Sequence, residues 1–258
     1  MESVLFEVKD GIGFVTLNRP EKLNCFNREM ALRLQDILDE CNKLKQVRCV
    51  YLTGAGKGFS AGQDLAEIPD LSRAGIQKIL LEQFHPILIK IRNLQKPVVA
   101  AVNGVAAGAG ANIALCCDIV VASNAAYFMQ VFSKIGLIPD CGGTFFLPRL
   151  IGFQKASAFM MMGEKLNAKQ AERSAVIYRA FPNDIFEAES KKIAANLAKM
   201  PTRGLWFTKK ALNESLNNSL EQQLQLEDYL QQRAAATDDF KEGVDAFLHK
   251  RRPEFSGE

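Results

Sequence analysis

Two short apolar runs in the opening stretch SVLFEVKDGIGFVTLNRP flank Asp10-Gly11, a strong short-range signal for a β-hairpin, and Pro20 closes the second run. From Asn27, a good helix cap, apolar residues recur at Met30, Leu34, Ile37, Leu38 and Cys41, the 3.6-residue period of a half-buried helix. RCVYLTG then reads as a buried strand. The alternation repeats with a helical stretch from about Ile76 to Leu94, the strand PVVAAVNG, a short Ala-rich helix after Gly108 and the strand DIVVAS. Apolar strands separated by helices predict an α/β protein whose parallel sheet is covered by helices. Beyond about residue 184 the strand signals stop. The remainder reads as helical, with a capping-box pattern at Ser219-x-x-Gln222 and a last helix carrying Phe240, Val244, Phe247 and Leu248 on one face. The chain thus divides into a core over residues 1–183 and a helical region over 184–258. That much apolar helical surface predicts packing on the protein's own core or on a neighbouring subunit.

Composition narrows the class. The chain has 258 residues, of which 48% are hydrophobic and 24% charged, as in a globular protein able to bury a sizeable core. Its 32 basic and 29 acidic residues leave a net charge of +3, too balanced for a nucleic-acid backbone binder. The one basic run, Lys250-Arg251-Arg252, reads as a solvated helix end. Six cysteines without paired CxxC spacing, mostly inside apolar runs, read as buried free thiols of a reducing compartment. No leader pattern and no membrane-length apolar window occur in the sequence, so the expectation is a cytoplasmic protein with no membrane partner.

Three glycine-rich or turn-rich stretches carry candidate chemistry. TGAGKGFSAGQDL, residues 53–65, follows a buried strand, where α/β proteins place ligand loops. It is not a phosphate-binding P-loop, because Lys57 is followed by Gly58, and its glycine spacing does not fit a dinucleotide fingerprint. Gly58-Phe59-Ser60-Ala61-Gly62 does match the nucleophile elbow of serine hydrolases. The partner histidine is the difficulty, since only His85 and His249 exist: one lies too near the serine, the other in a terminal amphipathic helix. Two histidines and no clustered cysteines also argue against a metal site. The second stretch, AAVNGVAAGAGANIALCCDIVVAS, places small residues at Gly108, Ala109 and Gly110 where a helix begins. Such a loop serves either close helix packing or, paired with the first loop, two N–H groups aimed at one oxygen. The third stretch, KIGLIPDCGGTFFLPRL, holds the lone carboxylate of Asp140 among apolar side chains. It reads either as a cap of the Gly142-Gly143 turn or as a proton carrier whose acidity an apolar pocket weakens. Asp64 and Asp118 read as residues that fix their loops by bonding local N–H groups.

The motifs LNRPEKLNCFN, TGAGKGFSAGQDL, AAVNGVAAGAGANIALCCDIVVAS, FSKIGLIPDCGGTFFLPRLIG and DDFKEGVDAFLHKRRPEF together resemble the enoyl-CoA hydratase/isomerase (crotonase) superfamily nearly end to end. The resemblance implies a spiral of ββα units, a helical C-terminal region, and assembly as a homotrimer or dimer of trimers. It implies an acyl-CoA substrate, with no cofactor beyond the coenzyme A carried by that substrate. By resemblance the backbone N–H groups of Gln63 and Ala109 form an oxyanion hole for the thioester carbonyl, and Gly108, Asn112 and Phe132 are expected at the substrate. Ala61, Gly62, Asp64 and Leu65 would line the CoA adenine pocket, and Phe247 and Lys250 would contact CoA held by a neighbouring protomer. Hydratases of the family carry two glutamates where this chain has Asn112 and Phe132, neither of which is a general base. Asn112 could still hydrogen-bond to substrate or water. Several isomerases carry an acid at the position of Asp140, and the combination of NGVAAGAG with GLIPDCGGT looks most like the ring-epoxide isomerases of phenylacetate breakdown, which also act as enoyl-CoA isomerases. The expected activity is therefore an acyl-CoA isomerase using Asp140, with a hydratase as the alternative and a Ser60 hydrolase behind it. Residues 66–77, AEIPDLSRAGIQ, are expected to be mobile and to line the acyl pocket.

Overall fold

The computed structural model describes residues 2–68 and 72–258. Strands β1 (Val4–Lys9) and β2 (Ile12–Leu17) pair antiparallel, with Val8 opposite Gly13. Asp10 and Gly11 both have positive φ, 51° and 79°, the turn whose twist matches the strands it joins. Helix α1 (Arg28–Lys43) starts where Asn27 accepts a hydrogen bond from the Met30 N–H, and all five apolar residues that predict it are buried.

A repeating unit follows. Strands β3 (Cys49–Gly54) and β4 (Gly58–Ser60) lead to helix α2 (Arg73–Ile79), a π-helical segment at Leu80–Phe84, and α3 (His85–Asn93). Strands β5 (Val98–Val102) and β6 (Val105–Ala107) lead to α4 (Ala109–Cys116). Strands β7 (Ile119–Ser123) and β8 (Tyr127–Met129) lead to α5 (Gly143–Ile151) and α6 (Phe153–Met162). Strand β9 (Lys165–Asn167), α7 (Ala168–Arg173) and β10 (Arg179–Phe181) close the sequence of strands. In each pair the first strand enters a six-stranded sheet, ordered β1-β2-β3-β5-β7-β10, and the second enters a four-stranded sheet, ordered β4-β6-β8-β9. The path is therefore a spiral of ββα units, the crotonase fold.

The short strands of the second sheet are the main element that hydrophobic period does not foretell. Three residues are too few to show a period of two. Apart from β1, the large sheet is parallel, and both its faces are buried, which is why β3 and β5 read as continuous apolar runs. One face carries the main core, with Leu17, Leu34, Leu52 and Val102. The other carries Ile12, Tyr51, Val99 and Val121 against α8 (Phe186–Ala198). The Tyr51 hydroxyl meets Ser190 Oγ at 2.8 Å across that interface.

The C-terminal helices are α9 (Thr202–Glu214), α10 (Leu220–Ala235) and α11 (Asp238–Leu248), with the expected Ser219–Gln222 capping box present. They are tied back by a buried lysine and a partly buried arginine. Lys209 lies 2.8 Å from Asp118 and donates to the Ile91 carbonyl at 2.7 Å. Arg48 donates to the carbonyls of Met200 and Phe255. The apolar face of α11 is left open: Phe247 is 82% exposed, so the chain's own core does not cover it. All six cysteines are free and five are buried, as their apolar neighbours indicate. Among the described residues no helix is long and apolar enough to cross a membrane.

Candidate active site

The loops that follow β4, β6 and β8 meet at one end of the small sheet and enclose a cavity of about 360 Å3. Ala61, Gly62, Gln63, Leu65, Gly108, Ala109, Phe132 and Asp140 all line it, although they are spread over 80 residues of chain. The remaining wall is almost wholly apolar and includes Ile68, Ile76, Ile79, Leu80, Phe84, Ile135 and Leu137. Of the stretch 66–77, Ile68 and Ile76 reach this wall, whereas residues 69–71 lie outside the described residues.

Each glycine-rich loop brings an N–H group without a partner among the described residues to the cavity wall. In the first loop the Gly62 N–H is held by Ser60 Oγ at 3.2 Å and the Asp64 N–H by the Phe26 carbonyl at 2.9 Å. The Gln63 N–H between them has no partner among the described residues. In the second loop the Gly108 N–H bonds to the Met129 carbonyl at 2.9 Å, while the Ala109 N–H, first of α4, has no partner among the described residues. The loops touch at Gly62, whose φ is +95°; a Cβ there would sit 2.9 Å from the Ala107 carbonyl and 3.4 Å from the Ala109 nitrogen. Only glycine lets these two segments approach so closely.

Asp140 closes the third side. Its Oδ1 is buried and has no hydrogen-bond partner among the described residues. The turn is instead capped by its backbone carbonyl, which accepts from the Gly143 N–H and from Asn112 Nδ2, both at 2.9 Å. The carboxylate is thus not needed for the turn. Burial raises its pKa above the ordinary aspartate value, while a bond from the Cys141 thiol, the proximity of His85 and a backbone N–H draw it partly back. Cys141 and Gly142 follow with φ of 48° and 71°. A non-glycine residue in that region is strained, a condition found where a site over-determines its backbone.

Four of the expected substrate contacts are not on the wall. Asn112 is fully buried behind it and exchanges hydrogen bonds with Gln130 at 2.7 and 3.3 Å besides holding the Asp140 carbonyl. With its amide spent on those partners it positions the Asp140 turn rather than touching a ligand. Asp64 is turned away, bonded to Arg19 at 3.0 Å and to the Ala66 N–H at 3.3 Å, which is the loop-fixing role its sequence context suggests. Asp118 behaves likewise, accepting from the Val98 N–H, Arg92 and Lys209. Phe247 and Lys250 sit on or just beyond α11, away from the cavity of their own chain. Ser60 is no nucleophile here: it is fully buried, and its hydroxyl donates to the Asn24 carbonyl at 2.8 Å. Of the wall residues that went unremarked as ligand contacts in the sequence, His85 and Cys141 carry an ionisable side chain.

A spiral of strand pairs whose loops bring Gln63, Ala109 and Asp140 to the wall of one apolar cavity, with two N–H groups and a carboxylate oxygen that lack partners among the described residues, has the architecture of the crotonase class. The family model for enoyl-CoA hydratase/isomerase matches residues 7–258. The chain is 43% identical over 266 residues to a 1,2-epoxyphenylacetyl-CoA isomerase of Escherichia coli (strain K12), covering 100% of this chain and 99% of that protein. It is 41% identical over 255 residues to a protein of Rhodobacter capsulatus named a probable enoyl-CoA hydratase, covering 99% and 98%. A solved structure of an enoyl-CoA hydratase subunit from Geobacillus kaustophilus HTA426 superposes with a TM-score of 0.93 at 32% identity, covering 99% and 98%. The chain belongs to the enoyl-CoA hydratase/isomerase family and is an enzyme of that superfamily.

Proposed function

We propose that this protein is an isomerase of acyl-CoA thioesters that shifts a β,γ double bond into conjugation with the thioester. The observation that carries the reading is Asp140, the one carboxylate that the described residues place on the wall of an apolar cavity, with an oxygen that has no hydrogen-bond partner among them. The thioester oxygen is held between the N–H groups of Gln63 and Ala109, donors of a kind typically worth ~3–4 kcal/mol each when charge develops on the oxygen. Asp140 takes a proton from the α-carbon, and the electron pair spreads into the thioester and the neighbouring double bond. The same carboxyl returns the proton to the γ-carbon, leaving the double bond between the α- and β-carbons. One acid with a raised pKa suffices, because it must both accept and give back a proton.

A ring-epoxide phenylacetyl-CoA fits the same chemistry. An arene epoxide opens to its seven-membered oxepin by electrocyclic rearrangement, which consumes no proton. The oxepin carries a β,γ ring double bond, and the proton shift from side-chain carbon to ring carbon is the step Asp140 supplies. The 43% identical relative, named for that substrate, supports placing it in the panel. Hydration, in the names of other relatives, needs a second group to hold and activate water. Asn112 has no free amide atom for that, and Phe132 has no proton to move. We place CoA itself along Ala61–Leu65, with Phe247 and Lys250 of a neighbouring protomer in a homotrimer or dimer of trimers; the open apolar face of α11 supports such assembly.

The test is a panel of trans-3-hexenoyl-CoA, crotonyl-CoA and ring-epoxide phenylacetyl-CoA, run on the protein and on Asp140→Asn. Isomerisation by the wild type and its loss by roughly 10²–10⁴-fold in the variant are expected, with CoA-ester binding retained. Rapid loss of the conjugated crotonyl-CoA band, or near-normal isomerisation by the variant, overturns the reading.

A further inference from the structure

The long helical segment beside the cavity contains a π-helical turn, Leu80–Phe84, whose last bond runs from the His85 N–H to the Leu80 carbonyl, five residues back. Such insertions cost helix stability and concentrate at functional sites. Its consequence here is geometric. In an unbroken α-helix, nine residues at about 100° each would put residue 85 about 180° from Ile76, on the opposite face. The extra residue in the turn swings His85 round, and it lines the same cavity as Ile76, Leu80 and Asp140. The imidazole makes no hydrogen bond among the described residues. It lies near enough to Asp140 to pull that acid's pKa down against the effect of burial.

A plain hydrocarbon acyl chain gives this imidazole nothing to bond. An oxygen on the acyl group would accept its N–H. Because Asp140 serves both the α- and γ-carbons, it lies over the β-carbon, and a substituent there projects into the space that His85 shares. We propose that His85 is a specificity residue that donates a hydrogen bond to an ether or epoxide oxygen carried on the β-carbon of the acyl group, selecting oxygen-bearing cyclic acyl-CoA substrates over simple enoyl-CoA. The proposal rests on the isomerase reading of the same cavity.

The experiment compares wild type, His85→Leu and His85→Gln on trans-3-hexenoyl-CoA and on ring-epoxide phenylacetyl-CoA, with thermal unfolding as a folding control. His85 is exposed at the start of α3, so both variants are expected to fold. Measured on the high-pH plateau of each kcat/KM profile, where Asp140 is ionised in every variant, leucine is expected to lower kcat/KM for the epoxide at least tenfold more than for hexenoyl-CoA, and glutamine, which keeps a donor, to recover part of the difference. An equal loss on both substrates, or no loss on the epoxide, overturns the proposal. A wild type active on hexenoyl-CoA but inert on the epoxide also overturns it and leaves the isomerase reading standing. Inactivity of the wild type on both substrates would remove that reading itself.

Discussion

Gly110→Ala tests whether α4 delivers the Ala109 N–H to the reaction. A Cβ at Gly110 would lie 2.4 Å from the Ser60 carbonyl oxygen and 2.6 Å from Ser60 Oγ, both in the fully buried β4. Ordinary contact is about 3.4 Å, so the N-terminus of α4 must retreat by roughly 1 Å; β4 cannot yield, because its neighbours are core. Overpacking of this kind costs about 1–3 kcal/mol. For a chain of 258 residues, an unfolding entropy of about 2.1 cal/mol/K per residue makes that a fall in Tm of roughly 2–6 °C. The same retreat takes the Ala109 N–H beyond hydrogen-bond reach of the thioester oxygen. Losing one such donor costs on the order of 10²–10³ in kcat. The assay is isomerisation of trans-3-hexenoyl-CoA, with calorimetry on the same sample. The expected signature is a large fall in kcat beside a modest fall in Tm. A lower Tm with kcat within threefold of wild type would show that Gly110 serves only helix packing and would refute the oxyanion role of Ala109.

Four further outcomes follow from the geometry. Because burial raises the Asp140 pKa and its carboxylate must be ionised to take a proton, kcat/KM should rise with pH through a limb above the ordinary carboxyl range. The folded protein then binds a proton that the unfolded chain has released, so Asp140 destabilises as pH rises through its folded pKa. Asp140→Asn should accordingly raise Tm at neutral pH, and the gap should close below the ordinary aspartate pKa; an unchanged or lower Tm at pH 7 counts against it. Ser60→Ala removes a buried donor to the Asn24 carbonyl and an acceptor for Gly62, costing about 1–3 kcal/mol in calorimetric unfolding without abolishing turnover. A stable fluorophosphonate adduct on Ser60 would contradict that assignment. Lys209→Met leaves Asp118 without its most buried cation and should lower stability by about 3 kcal/mol, read as a fall in the denaturation midpoint; a loss under 1 kcal/mol would show that Arg92 alone suffices.

The helix from Asn27 and the hairpin at Asp10-Gly11 were legible because cap, turn and hydrophobic period are all local. The strand pairs were half legible. Strands β3, β5 and β7 carry long apolar runs, whereas β4, β6 and β8 are three residues each and acquire meaning only by pairing with one another. Asp140 stood out in sequence as a carboxylate among apolar residues, and its unpaired oxygen in the fold agrees with the cost that this context implies. Asn112 and His85 went the other way. The first pointed to a ligand by its position in the motif, yet Gln130 and the Asp140 carbonyl consume its amide. The second was discounted as a triad member and is brought to the cavity by one extra residue in a helical turn.

By itself the sequence determined the α/β class, the chemistry on hand and its shortages: two histidines, no acid at either hydratase position, and one aspartate in an apolar turn. Side-chain chemistry belongs to each residue wherever the chain takes it. Only the tertiary structure decided which polar groups remained unpaired at the cavity wall. Among the described residues the Gln63 and Ala109 N–H groups have no partner, whereas Phe26 and Met129, from distant parts of the chain, satisfy the N–H groups of the adjacent Asp64 and Gly108. Whether a donor is spent or spare depends on partners distant in the chain, so no local pattern records it.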